Sequence, residues 1–429
     1  MKYKLWIFLL LLAISGGMTL SSGGVIRIQQ MLTTAEWQKV PLPFRALELD
    51  LDLLGNTTDM RSLSALEYNW DSQEWEYRLR EFYFTWFPSF GEITIGRQIL
   101  AWGMADNNNP TDNLSSYDFN YLFETGVDRK VGSLAAQMIT YWGDFMLSAV
   151  VIGEHQPNRL VWADQFPMKP SNRPNKSEIL QLKDGWEWGG RLQRAFGAGD
   201  MACSYFQGFD RQFSKVGWIG STPVNPDTGG NSENDSTDRY GYRLTRVIGA
   251  DAVFLWGNWT FRNEAAYFFS RIDKDHFETA EVQTSIFELD AEYGQYVSQI
   301  EYTGFSDVTI MGQYIGSCNY VLSASSQQLK DNFRAGLGTP FATIFEQAMM
   351  GSVTVTIGDD TLEIRSTVLI NLDDPGFMFG IGNEYTPWEN WLLELHLTEF
   401  QGTSERPENY LFNRLEDFSN ITIGMSYCF

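Results

Sequence analysis

Cysteine and histidine are scarce in this chain. It has three cysteines and three histidines among 429 residues. It contains no Walker loop, no His-Glu-x-x-His and no Cys/His cluster with metal-ligand spacing. The histidines (His155, His276 and His396) are dispersed, and His396 lies near Glu394 and Thr398, which is not a catalytic triad. We therefore expect no enzyme, no metal site and no cofactor.

Long apolar runs are also missing after residue 24. No later run approaches the 18 or more residues that a membrane-spanning helix needs, which excludes a helical membrane protein. The mean hydropathy is −0.25, yet aromatic residues make up 15% of the chain. A transmembrane β-structure stays compatible with these values, because only alternate residues of its strands face lipid.

Basic residues are outnumbered. The 31 lysines and arginines stand against 54 aspartates and glutamates, giving a net charge of −23. This balance argues against nucleic acid as a partner. It fits an acidic surface that meets divalent cations bridging lipopolysaccharide, although many soluble proteins are also acidic.

The first 24 residues have the pattern of a secretory signal peptide. Lys2 and Lys4 precede an apolar run over residues 5–14, and small residues follow it. The cleavage point is ambiguous between Gly17 and Gly24. We expect residues 1–24 to be a signal peptide and residues 25–429 to form one domain outside the cytoplasm.

The last ten residues alternate strictly. Apolar or aromatic side chains at 421, 423, 425, 427 and 429 are separated by small or weakly polar ones, which predicts a strand with one apolar face. This segment resembles the closing strand of a bacterial outer-membrane β-barrel. The resemblance implies that Tyr427 and Phe429 form the signal read by the barrel-assembly machinery. The alternative is an ordinary half-buried strand.

Strand patterns fill the rest of the chain. We predict eighteen strands, from residues 25–33 to residues 418–429, among them 74–86, 91–102, 239–256 and 391–401. Short Gly/Asp/Asn turns such as Gly143-Asp144 alternate with long connections, as they do in a barrel with turns on one rim and loops on the other. The sequence therefore predicts an all-β, transmembrane, antiparallel up-and-down barrel of about 18 strands. Sixteen remains possible, because the first strand and the one over residues 292–304 are the weakest.

This fold predicts where the side chains of the strands lie. Tryptophan pairs near the turns, such as Trp256 with Trp259, predict aromatic belts at the membrane interfaces. We expect Cys203, Cys318 and Cys428 to be small buried or lumen-facing thiols.

Charged residues opposite the apolar face are expected to line a watery lumen, since charge facing lipid is costly. The charges so placed are Glu76, Arg78, Arg80, Glu187, Arg191, Arg243, Asp251, Arg262, Glu264, Glu363, Arg365, Glu394 and His396. They either set a transverse field for solutes or only pair with each other.

One strand departs from plain alternation. Gly96-Arg97-Gln98 and Trp102-Gly103 lead into an Asn/Pro/Asp-rich loop. This element is similar to one in a broad group of porin-like barrels, which includes alginate-export-like proteins. The resemblance implies that the loop over residues 102–125 folds inward as a constriction, with Arg97, Asp106 and Asp112 near it. The alternative is an ordinary surface loop.

These patterns together predict an outer-membrane porin of a Gram-negative-type bacterium, through which small hydrophilic solutes diffuse. Its expected partners are outer-membrane lipid, lipopolysaccharide and the barrel-assembly machinery, with a homotrimer possible. Alternatives are a substrate-specific conduit for polysaccharide or lipid-like molecules, and a plugged structural barrel. The near balance of lumen charges gives no support to a polyanion channel, and about twenty residues before the second strand are too few for a plug domain. The oxygen-rich loop over residues 225–235 is predicted to be solvated rather than a Ca²⁺ site.

Overall fold

The computed structural model describes residues 18–163, 166–170, 173–220, 237–278, 284–408 and 410–429. The predicted signal peptide lies outside the described residues up to residue 17, and so does the whole of the oxygen-rich loop at 225–235. Short pieces of helix and strand lie in the connections. No helix in the described ranges is long and apolar enough to cross a membrane.

Eighteen antiparallel strands form one closed sheet. Each strand pairs with its neighbours along the chain, and the last strand pairs with the first, from Val25 opposite Cys428 to Thr33 opposite Asn420. The prediction of an all-β, transmembrane up-and-down barrel is confirmed. The two strands with the weakest sequence patterns are both present, so the barrel has eighteen strands and not sixteen.

The strands are numbered in chain order, counting only those of the barrel. The first nine are β1 (Thr19–Thr33), β2 (Pro43–Leu54), β3 (Thr58–Asn69), β4 (Glu74–Trp86), β5 (Gly91–Gln98), β6 (Ser133–Trp142), β7 (Phe145–Ile152), β8 (Glu187–Phe196) and β9 (Gly199–Phe209). The other nine are β10 (Leu244–Trp256), β11 (Trp259–Ile272), β12 (Leu289–Phe305), β13 (Val308–Ala324), β14 (Gln347–Ile357), β15 (Leu362–Asn371), β16 (Phe377–Tyr385), β17 (Trp391–Gln401) and β18 (Asn420–Cys428).

The connections divide the barrel into two rims. One rim has tight turns, such as residues 143–144 and 257–258, where Gly143 and Gly257 adopt the positive φ values of 56° and 58°. These left-handed conformations suit glycine, which carries no Cβ. The other rim carries the long connections 99–132, 153–186 and 210–243. We call them the short-turn rim and the long-loop rim.

The wall has an apolar outer face and a more polar inner face. On β18, Ile423 and Met425 are exposed on the outside, while Thr422, Gly424 and Ser426 are buried on the inside. Exposed tryptophans gather near the short-turn rim, at Trp142, Trp256 and Trp388, and near the long-loop rim, at Trp186 and Trp188. This is the arrangement of a barrel whose outer surface meets hydrocarbon between two interfaces.

The cysteines correct one expectation. Cys203 lies between exposed Met201 and half-buried Tyr205 on the outer face of β9, and Cys318 lies on the outer face of β13. Neither is buried or faces the lumen. Cys428 continues the inner face of β18 but is exposed near the short-turn rim.

The inside of the barrel is partly filled by its own loops. Inward-facing Val150, Val247 and Phe268 belong to one apolar cluster with Leu100 and Leu114 of a long loop. A second cluster lies among inward-facing wall residues and the connections at the long-loop rim, including Val161, Phe166 and Phe412. Burial of these side chains stabilises the loops inside the barrel.

Candidate functional site: a loop inside the barrel

Residues 99–132 connect β5 to β6 and lie within the barrel; we call them the lumen loop. Leu100 and Trp102 follow the end of β5 on the parity of its inward residues Thr94 and Gln98, and they pack inside the barrel. The Trp102 ring lies over Gly189 of β8, where a Cβ would come within 2.8 Å of the ring. The glycine therefore makes room for the start of the loop.

The first half of the lumen loop is anchored on β11, β12 and β13. The Glu264 carboxylate accepts hydrogen bonds from the backbone N–H groups of Met104 and Ala105. The Gln299 side chain accepts from the Asp106 N–H at 2.9 Å, and the Gln313 side chain donates to the Asp106 carbonyl at 3.0 Å. Three neighbouring strands thus hold the same few residues of backbone.

The second half of the lumen loop returns to the opposite wall. Asp128 accepts hydrogen bonds from Arg45 at 3.1 Å and from Arg80 at 3.0 Å. The Phe123 ring packs 6.2 Å from that of Phe400 on β17. The loop therefore spans the lumen from β11–β13 to the wall formed by β2, β4 and β17.

A tyrosine in this second half illustrates the crowding. The Arg45 guanidinium lies 3.9 Å from the centre of the Tyr121 ring. Burial raises the pKa of Tyr121 well above its ordinary value, and Glu67 adds to this while Arg45 opposes it. The phenol is therefore neutral at physiological pH and acts here as a packing surface.

The structure places most of the predicted lumen charges inside the barrel, in ion pairs. Arg80 pairs with Glu48 at 2.8 Å, Arg191 with Asp251 at 2.5 Å, and Arg243 with Asp210 at 2.6 Å. These six side chains are buried or nearly so, and they hold wall and loops together. They fit the pairing alternative better than the transverse-field alternative.

A smaller set of predicted charges remains open to water. Arg262 lies 3.4 Å from Asp106 of the lumen loop and 3.1 Å from Glu301, and the Asp106 side chain is half exposed. Arg365 pairs with Glu363 at 2.9 Å and is 48% exposed. Arg78 pairs with Glu76 at 2.7 Å, and both are partly exposed. These are the charges that a solute inside the barrel would meet.

Two residues expected near the constriction differ in their surroundings. Asp112 is buried in the lumen loop, 3.1 Å from Lys130, and it accepts the Trp102 N–H. Arg97 departs from the expectation, because it lies on the outer face of β5. It alternates with exposed Ile95 and pairs with exposed Leu134, and its guanidinium donates to the Gly132 carbonyl at 2.6 Å.

Tyr427 and Phe429 lie on the outer face at the closing seam. Phe429 is half exposed, and its backbone N–H and C=O both pair with Gly24 at 3.0 Å. A Cβ on Gly24 would come within 2.5 Å of the Phe429 ring. The terminal aromatic residue thus closes the barrel against a glycine of β1.

Sequence reasoning missed several inward carboxylates. Asp50 and Asp52 alternate with outward leucines on β2 and bind Arg61, which lies 2.7 Å from Asp50 and 3.9 Å from Asp52. Glu301 was also missed. The sequence contained the signal for Asp50 and Asp52, since residues 47–53 read Leu-Glu-Leu-Asp-Leu-Asp-Leu, a strict alternation.

No family model matches the chain, and no curated protein sequence matches it. Solved structures do resemble it. OccK1 (OpdK) of Pseudomonas aeruginosa matches with a TM-score of 0.53 and 10% identity, over 96% of this chain and 98% of that one. A BenF-like porin of Pseudomonas fluorescens Pf-5 matches with a TM-score of 0.51 and 11% identity, over 96% and 98%.

A third structure is OccK2 (OpdF) of Pseudomonas aeruginosa in complex with glucuronate. It matches with a TM-score of 0.51 and 10% identity, over 95% of this chain and 97% of that one. At these identities the likeness concerns the fold, and it does not bear on the resemblance to alginate-export-like proteins. By its fold, the chain is a porin-like β-barrel.

Proposed function

We propose that this protein is an outer-membrane channel of a Gram-negative-type bacterium, through which small hydrophilic solutes diffuse. The observation that carries the proposal is the water-exposed charge inside the barrel, at Arg365 and Glu363 of the wall and Asp106 of the lumen loop. Polar groups on the inside of a closed barrel with an apolar outer face support an aqueous passage. The lumen loop would narrow that passage, with Asp106 and Arg262 beside it.

The two rims support the outer membrane as the location. Barrels of that membrane have short turns on the periplasmic side and longer loops on the outside, and this barrel has one rim of each kind. Lipopolysaccharide and the barrel-assembly machinery, with Tyr427 and Phe429 as its signal, remain proposed partners, as does a homotrimer.

A second candidate is a barrel closed by its own loops. The two apolar clusters that fill the interior towards the long-loop rim favour it. A conduit for polymers is less well supported, since the lumen loop crosses the passage that a polymer would need.

Single-channel conductance of refolded protein in a planar bilayer separates the two leading candidates. We expect discrete, steady current steps, and neutral polymers small enough to enter should reduce them. A silent bilayer, from protein that still migrates as a heat-modifiable barrel on gels, would overturn the diffusion-channel proposal in favour of the closed barrel.

A further inference from the structure

Glu264 on β11 stands out among the buried carboxylates of the wall. Its side chain is buried, and it accepts four hydrogen bonds from one short stretch of the lumen loop. The donors are the N–H groups of Met104 and Ala105, the Asn109 side-chain amide at 2.9 Å and the Thr111 hydroxyl at 2.9 Å. Residues 104–111 therefore wrap around a single carboxylate.

The backbone at the start of the lumen loop leaves room for the Glu264 carboxylate. Gly103 has a positive φ of 102°, and a Cβ there would come within 2.6 Å of a Glu264 oxygen. A glycine at this position both permits the left-handed backbone and leaves room for the carboxylate. The start of the loop is therefore built around the Glu264 side chain.

No cation compensates the Glu264 charge within salt-bridge distance in the described ranges. Arg262, two residues earlier on the same inner face, pairs instead with Asp106 and Glu301. A buried anion without a cation depends on its hydrogen-bond donors, and here all four come from the loop. If the loop left, the charge would lose every one of these partners.

The position of Asp106 follows from this anchor. Asp106 comes directly after the two residues whose N–H groups bind Glu264. Its carboxylate accepts from the Gln299 amide at 2.6 Å and lies 3.4 Å from Arg262. The Glu264 contact thus sets where one of the few water-exposed loop charges stands relative to the wall.

We propose that Glu264 is the positioning residue of the channel: its carboxylate holds residues 104–111 against β11 and fixes Asp106 opposite Arg262. This rests on the proposed function only in so far as the loop limits a current. The position of the loop itself can be measured without one.

The first test compares Glu264→Gln with Glu288→Gln in single-channel recordings. Both variants remove one carboxylate, but Glu288 is exposed in the connection before β12 and forms its hydrogen bonds through its backbone, to Ser325. Glutamine presents an NH₂ group where the loop offers only donors, so E264Q should loosen the loop. We expect larger, noisier conductance and a changed reversal potential in E264Q, with partial return in E264D, and wild-type step size in E288Q. Equal behaviour of E264Q and E288Q would overturn the proposal.

The second test needs no current. In a background with Cys203, Cys318 and Cys428 changed to serine, Ala105→Cys places a thiol in the buried part of the loop. We expect its modification by a charged methanethiosulfonate reagent to be about tenfold or more faster with E264Q, because a charge-assisted anchor is lost. The rate should not change with E288Q.

The outcomes are distinguishable. A silent bilayer from the wild-type protein would defeat the proposed function alone, and the labelling rates would still decide the role of Glu264. Equal labelling of A105C in all three backgrounds, with folding intact on gels, would defeat the anchor.

Discussion

Glu187 and His155 show how a single buried carboxylate organises the long-loop rim. Glu187, at the start of β8, lies 2.7 Å from the Arg211 guanidinium and 2.8 Å from His155 Nδ1. It also accepts the Phe209 N–H at 3.2 Å. His155 itself lies just beyond the end of β7, so this cluster fastens the connection 153–186 to the wall.

A pH dependence follows for this cluster. Burial lowers the pKa of His155 below its ordinary value of about 6.5, Arg211 adds to this, and Glu187 opposes it. We call this connection closed when the cluster holds it to the wall and opened when it has detached. At a pH between the ordinary and the lowered pKa, His155 binds a proton in the opened state but not in the closed state. The closed state is therefore fully favoured above about pH 6.5 and loses stability as the pH falls, by at most about 1.4 kcal/mol per pH unit.

Hydrogen exchange at residues 153–160 measures this effect. After correction for intrinsic rates, we expect the wild-type protein to open more readily at pH 5.5 than at pH 7. The variant His155→Gln, which cannot titrate, should show little change over the same range. A wild-type profile as flat as that of H155Q would contradict the assignment.

At the scale of the element, the agreement between sequence and structure depends on what lies at each strand end. The strands over Glu74–Trp86 and Trp391–Gln401 begin and end as predicted. Short turns with clear residue preferences adjoin both ends of the first and the start of the second, and Gly402 follows the end of the second. The strand predicted over 91–102 ends at Gln98 instead. Leu100 and Trp102 look like strand residues in the sequence because the loop that carries them is buried inside the barrel.

Arg97 also differs from the expectation. The resemblance to porin-like barrels implies a place near the constriction, but the register of β5 puts Arg97 on the outer face near the long-loop rim. A shift of one residue exchanges the faces of a strand, and no single sequence fixes that register. The anchor on Glu264 was equally out of reach, since it joins residues about 160 positions apart in the chain.

The first strand yields a prediction about processing. β1 begins at Thr19, so residues 19–24 pair with Leu54 to Leu49 of β2, and Gly24 pairs with Phe429. Cleavage after Gly24 would remove these pairings, and unpaired peptide groups are costly next to hydrocarbon. We expect the mature chain to start at or before Thr19.

Amino-terminal sequencing or intact-mass measurement of protein purified from outer membranes checks this. The variant Gly24→Val should fold poorly, because its side chain would meet the Phe429 ring, whereas Ser22→Ala should behave as wild type. A mature chain starting at Val25 would show that the barrel closes without residues 19–24.

For the whole molecule, the charge inside the barrel is unevenly distributed. Near the short-turn rim, four inward arginines of the described strands face nine inward carboxylates. The arginines are Arg27, Arg61, Arg262 and Arg365, and the carboxylates are Asp50, Asp52, Asp59, Glu92, Asp200, Glu301, Glu363, Glu384 and Glu394. This half of the lumen therefore carries a negative potential, which concentrates cations.

We expect the channel to prefer cations. In a salt gradient, the reversal potential should have the sign of cation selectivity, and it should shrink at high ionic strength as the field is screened. The double variant D50N/D52N should weaken the preference. The control E278Q/E288Q removes the same charge from the exposed connection between β11 and β12 and should leave it unchanged. Anion selectivity in the wild-type protein would contradict this picture.

The seam between β1 and β18 joins the two ends of the chain. Because the first strand finds its second partner only in β18, the sheet keeps two free edges until β18 has been added. A product that ends before β18 has two rows of peptide groups that lack partners, and such rows invite pairing with other chains. The position of the seam thus makes closure the last step of synthesis: a chain terminated before β18 cannot form the closed sheet, however many of its strands have formed.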